Sequence, residues 1–136
     1  MELHFSSKEN TLMAIYTDFF LLAVPATKLK EYKKLARGFG TVARGYGALA
    51  YREFVQDSVD PKMLTELGKS VGLKKGETMI FSYIHYSSKA SRNSIMKKVM
   101  TDPRLEAMMK NTQCPFDPKR MIYAGFKLLY EMKPKK

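Results

Sequence analysis

The sequence predicts an α+β chain with the order βαββαβ, in which a four-stranded antiparallel sheet carries its helices on one face. Three observations predict it. Within residues 77–86, Ile80 and Ile84 point to one side and Met79, Phe81 and Tyr83 to the other, so this strand is covered on both faces. A sheet with one wet face would alternate apolar with polar residues instead. From 27 to 47 the apolar period becomes that of a helix, and such a stripe requires a sheet beneath it. The chain has 136 residues, enough for one domain that buries about two thirds of its unfolded surface. Its helices can cover one sheet face, and a second copy of the chain is expected to shelter the other.

Residues 1–12 are polar and unpatterned and read as an extension, 13–131 as the domain, and 132–136 as a basic tail. The apolar run 12–24 holds Asp18 and follows Glu2 and Glu9, which argues against a secretory leader. It is too short and too charged to span a bilayer. It reads as the first strand, 14–24, ended by Pro25. Thr27 is the expected cap of the first helix. The stripe of that helix is Leu29, Tyr32, Leu35, Ala36, Phe39, Val42, Ala43 and Tyr46, with Lys30, Lys33, Lys34, Arg37, Thr41 and Arg44 opposite. Gly38 and Gly40 flank the stripe and each weakens the helix by about 1 kcal/mol against Ala, a cost that close packing would offset.

A second strand, 48–55, leads into a connection rich in Pro and Gly with one helical turn at 61–67, and then into the strand 77–86. Ser87 or Ser88 caps the next helix, which runs to about 101 with Ile95, Met96, Val99 and Met100 inward. Asp102 and Pro103 cap and start a short helix with Leu105, Met108 and Met109 on one side. The segment 111–119, with Pro115 and Pro118, is expected as a loop, and 120–130 as the last strand. This order is the split βαβ arrangement called ferredoxin-like.

Composition sets limits on function. The formal charge of +11 invites a nucleic-acid reading, but the excess is spread over helices, loops and tail rather than massed in one run. Arg37, Gly38, Phe39, Gly40 and Val42 match an RNA-binding strand signature, yet they sit in a helical stripe, with Thr41 and Arg44 where stacking aromatics belong. Gly38, Gly40 and Ala43 match a dinucleotide-binding spacing that no strand leads into. The single cysteine, Cys114, fits a reducing, cytoplasmic setting. No spacing of His, Asp or Glu suggests a metal site, and no cofactor is implied. Arg92 falls in the centre of the second helix's apolar stripe, so it either snorkels from the first turn or is buried against a carboxylate, for which Asp18 and Glu53 are the candidates. An ion pair fixing helix to sheet is the preferred reading of that group, ahead of an active site.

Several stretches together carry a family resemblance: Tyr16-Thr17-Asp18, Gly47-Ala48-Leu49-Ala50-Tyr51-Arg52-Glu53, Lys75-Gly76-Glu77-Thr78 with Phe81-Ser82, Val99-Met100-Thr101-Asp102-Pro103-Arg104, and Pro115-Phe116-Asp117 with Lys119-Arg120-Met121-Ile122-Tyr123 and Gly125-Phe126-Lys127. They resemble the bacterial family catalogued as domain of unknown function 1428. The resemblance implies a member of the dimeric α/β-barrel superfamily, in which two ferredoxin-like sheets stack face to face. It implies no agreed activity. The chain departs from the family pattern at Tyr46, Ala43 and Phe19.

The reading that follows is a homodimer whose sheets enclose a cavity for a small organic molecule, anionic ones included. Its polar and aromatic candidates are Tyr16, Asp18, Arg52, Glu53, Tyr83, His85, Arg92, Arg120 and Tyr123, and strand parity lets only some of them face one cavity. The alternatives are an enzyme of the cofactor-independent oxygenase or isomerase type, with His85 or Asp18 accepting a proton, and a basic RNA-binding protein.

Overall fold

The computed structural model describes residues 15–57, 60–111 and 113–135. The extension expected at 1–12 lies outside the described residues. The elements are β1 (Tyr16–Pro25), α1 (Leu29–Gly45), β2 (Ala50–Val55), α2 (Pro61–Ser70), β3 (Glu77–Tyr86), α3 (Lys89–Met100), α4 (Pro103–Asn111) and β4 (Ile122–Lys127). The four strands form one antiparallel sheet in the order β2-β3-β1-β4. This is the expected α+β, ferredoxin-like fold.

Local signals place the helix ends. Thr27 makes no cap; a 3-10 turn, Ala26–Lys28, leads into α1 instead. α1 closes on Gly47, whose φ of +115° turns the chain into β2. There Gly47 N–H donates to Arg44 O at 3.0 Å and Ala48 N–H to Ala43 O at 3.1 Å, which satisfies the last carbonyls of the helix. The connection after β2 holds a longer helix than one turn, because Asp60 accepts from the N–H groups of Lys62 and Met63 and Pro61 occupies the first helical position. Ser88, not Ser87, caps α3. Asp102 caps α4 by accepting from Arg104 N–H at 2.8 Å. β4 begins two residues later than expected, since Asp117 and Pro118 hold Pro118–Arg120 in a 3-10 turn.

The main core lies between the sheet and α1, α3 and α4. Leu22, Val24 and Ile80 pack on Tyr32 and Ala36, and Ile84 and Tyr86 pack on Val42, Ala43, Ile95, Val99 and Leu105. Met100, expected inward, is 65 % exposed at the last position of α3, where it lies at the rim of the space between sheet and helices. Gly38 and Gly40 are where α1 meets its neighbours most closely. A Cβ on Gly38 would overlap the Met108 side chain, and one on Gly40 the Tyr51 ring.

The second sheet face is partly covered by the chain itself. Leu21, Ala23 and Met79 pack under Leu64, Val71 and Leu73 from α2 and its exit. The expectation that the chain's own helices cannot reach this side therefore fails for the half beneath α2, and the other half is bare in the subunit. On that half Phe54, Phe81 and Phe126 remain 44 %, 38 % and 57 % exposed.

One ion pair ties the turn before β4 to the end of β3. Arg120 donates from Nη1 to Glu77 Oε2 at 2.8 Å and from Nη2 to Glu77 Oε1 at 2.6 Å and to Gly72 O at 2.8 Å. The hydrogen bonds from Arg120 hold the Glu77 carboxyl down to about 2. With its folded-state value depressed, this group contributes stability that is present above its ordinary range near 4.5 and lost as pH falls towards about 2. Glu77→Gln is expected to flatten the acid limb of stability over that window, measured as urea midpoints between pH 5 and pH 2; an unchanged limb would contradict it.

Candidate functional site

The sequence candidates separate into distinct places. On the helix side of the sheet stand Tyr16, Asp18, Glu53 and Tyr123; on the opposite face stand Arg52, Tyr83 and His85. Arg120 belongs to neither, being held by Glu77 at the sheet's end. A single cavity gathering all of them is thus ruled out by parity and by these pairings.

Asp18 is 3 % exposed and is engaged on both oxygens. Arg92 Nε donates to Oδ2 at 3.0 Å and to Oδ1 at 3.2 Å, and the Tyr86 hydroxyl donates to Oδ2 at 3.3 Å. Burial beside this carboxylate pushes the Tyr86 phenol up, so it stays a donor. The group fastens α3 to the middle of β1. Of the two carboxylates considered for Arg92, Asp18 is the partner and Glu53 is not.

The open half of the opposite face is an aromatic plate. Phe81 lies 5.3 Å from Phe19 and 5.5 Å from Phe54 between ring centres, Phe126 lies 6.2 Å from Phe19, and Tyr83 stacks on His85 at 4.4 Å. Arg52 donates to the Tyr83 hydroxyl. His85 Nδ1 is 2.6 Å from the Thr17 hydroxyl. Burial, and then the nearby Arg52 charge, lower the His85 pKa, which favours the neutral ring.

The concavity of the subunit is on the other side. A cavity of about 330 Å³ lies between the sheet and the helices, walled by Phe20, Phe39, Met96, Leu105, Met109 and Phe116 among others. Its acidic wall residue is Glu53, clasped by two phenols: the Tyr32 hydroxyl donates to Oε1 at 2.8 Å and the Tyr51 hydroxyl to Oε2. Burial raises the Glu53 pKa, and the two hydrogen bonds oppose it. Burial and the adjacent carboxylate push both phenols up, so they remain protonated donors. A carboxylate fixed at the wall of an oily cavity gives that cavity one point of polar recognition. Neither His85 nor Asp18 lines it. Tyr32 and Tyr51 were not among the sequence candidates. Tyr51 and Glu53 share parity two residues apart on β2, and Tyr32 carries a polar tip on the apolar stripe of α1, so the signal was there.

Among the described residues no group of His, Cys, Asp and Glu is arranged to hold a metal ion, and no helix is long and apolar enough to cross a membrane. The RNA-signature residues Arg37 to Gly40 lie within α1, not on a strand.

Comparison with known proteins agrees with the fold and with the resemblance. The chain is 34 % identical over 116 residues to the uncharacterized protein YbaA of Escherichia coli K12, covering 85 % of this chain and 97 % of that one. An uncharacterized NIPSNAP domain protein from Burkholderia xenovorans superposes with a TM-score of 0.58 at 14 % identity, covering 88 % of this chain and 99 % of that one. SnoaB, a cofactor-independent oxygenase from Streptomyces nogalater, superposes with a TM-score of 0.53 at 10 % identity, covering 89 % and 99 %. The two solved structures share the fold of this chain at low sequence identity. The family model described as protein of unknown function (DUF1428) matches residues 15–118, from the first strand through the second crossover, and the chain belongs to that family.

Proposed function

We propose that the protein is a homodimer that binds a small organic molecule in each subunit. The observation that carries the reading is the cavity of about 330 Å³ behind the sheet, mostly apolar, with the Tyr32–Glu53–Tyr51 cluster, Ser82 and Cys114 as its polar wall residues. Ligand sites have this size and this sparing use of polar groups. The dimer is supported by the bare half of the opposite face, where exposed aromatic rings pack beside one another on the sheet. In this reading the ligand sits between sheet and helices of one subunit, and the aromatic plate is the contact between subunits.

An oxygenase or isomerase would need a proton acceptor facing the substrate. Asp18 is committed to Arg92, His85 stands on the far side of the sheet from the cavity, and both oxygens of Glu53, which does line it, already accept phenol hydroxyls, so binding without assigned chemistry is the reading kept. Native mass spectrometry of freshly purified protein tests both parts together. The expected species has twice the subunit mass and carries a releasable small molecule or takes up an added apolar one. A bare monomer that takes up nothing would refute the reading.

A further inference from the structure

The cavity has a neighbouring groove. An open groove of about 860 Å³ runs between α1 and the edge strand β2. Tyr32, Ala36, Tyr51 and Glu53 line both spaces, so the groove and the cavity share one wall, the phenol–carboxylate clasp. The two differ sharply in character. Behind the clasp the walls are methionine, leucine and phenylalanine; in front of it stand Lys33, Arg37 and Arg44, with Thr41 beside them.

The three cations are not scattered. At about 100° per residue they occupy one stripe of α1 within roughly 40° of rotation. Among the described residues no carboxylate pairs with any of them. Glu53 is the one acidic residue on the groove's wall, and both its oxygens already accept phenol hydroxyls. A helix surface with nothing to recognise usually mixes signs and pairs its cations with acids one turn away. Here one sign gathers at the mouth of an oily chamber.

We infer that the ligand is an amphipathic anion, with its anionic head against Lys33, Arg37 and Arg44 in the groove and its apolar tail past the Tyr32–Glu53–Tyr51 clasp in the cavity. This rests on the small-molecule reading above and names the chemical class. The tail supplies affinity by leaving water for a mostly apolar space. The head supplies selectivity, since a neutral molecule of the same length gains nothing from the cationic stripe. The clasp is the threshold: its phenol hydroxyls are donors that an entering polar group can engage in place of Glu53.

The test is displacement of the neutral fluorophore N-phenyl-1-naphthylamine from the purified full chain by decanoate and by 1-decanol, at low and at raised salt. Decanoate is expected to bind about tenfold more tightly than decanol at low salt, and added salt is expected to erase the difference. Arg37→Glu combined with Arg44→Glu is expected to weaken decanoate by tenfold or more while leaving decanol within twofold. The same charge change on α2, Lys62→Glu with Lys69→Glu, is expected to leave both within twofold. Equal affinities for decanoate and decanol, or a double arginine variant that binds decanoate normally, would overturn the anion assignment and leave the binding function standing. No uptake of the fluorophore or of either chain would overturn both.

Discussion

Asp18→Ala is expected to cost about 3 kcal/mol of stability, seen as a fall of roughly 10 °C in the thermal midpoint. The carboxylate is 3 % exposed and carries the Arg92 guanidinium and the Tyr86 hydroxyl together. Its removal leaves a cation facing the sheet without its partner and strands the hydroxyl of a fully buried tyrosine. Arg92 keeps 28 % of its side chain in solvent, which lets the orphaned charge rehydrate and holds the cost below that of a fully buried pair. Asp18→Asn keeps one acceptor oxygen, which at the Oδ2 position can still take both donors, but it loses the charge and turns an amide NH2 toward the Arg92 guanidinium, so more than half the effect is expected. Replacing both partners by apolar residues, Asp18→Leu with Arg92→Met, is expected to recover part of the stability, because no unpaired charge then remains although the Tyr86 hydroxyl still lacks its acceptor. Chemical denaturation of the four proteins checks the series. A double variant no more stable than Asp18→Ala would show that packing around Tyr86, rather than the ion pair, is what the alanine removes.

The same pair shows how far the sequence was readable. An arginine in the middle of an apolar stripe has few ways to be accommodated, so the need for a carboxylate was legible, and so was the candidate on β1. β3 was legible to the residue because its two apolar sets leave no other register. What the sequence hid is long-range. Leu64, Val71 and Leu73 lie scattered through a connection rich in Pro and Gly and show no stripe, yet they cover Leu21, Ala23 and Met79. Periodicity reports the face an element buries, not the element that arrives to bury it. The clasp was missed for a related reason. Tyr32 read as core and Glu53 as a partner for Arg92, and only the packing of α1 against β2, which Gly40 allows, brings Tyr32 and Tyr51 to one carboxylate.

Phe81→Asp is expected to convert the proposed dimer to monomer at micromolar concentration, a loss of about 4 kcal/mol or more, roughly a thousandfold in dissociation constant. Phe81 is the hub of the plate: Phe19, Phe54 and Tyr83 all lie within 6.1 Å of it between ring centres. Central aromatic rings in a desolvated patch carry most of an interface's energy, and a carboxylate there must either be buried unpaired or keep water in the contact. The plate is on the face away from the cavity, so the variant separates assembly from binding. Its fold is expected to hold, because Phe81 is already 38 % exposed in the subunit and its removal opens no core cavity. Light scattering after size exclusion reads the mass, and the fluorophore titration reads the site. A Phe81→Asp protein that stays dimeric would move the interface elsewhere, with the edge of β2 as the next place to look, since that edge strand presents unpaired backbone groups beside the exposed Phe54 and Val55. A monomer that still takes up the fluorophore would show that each subunit holds its own complete site, as expected of a cavity walled entirely by one chain.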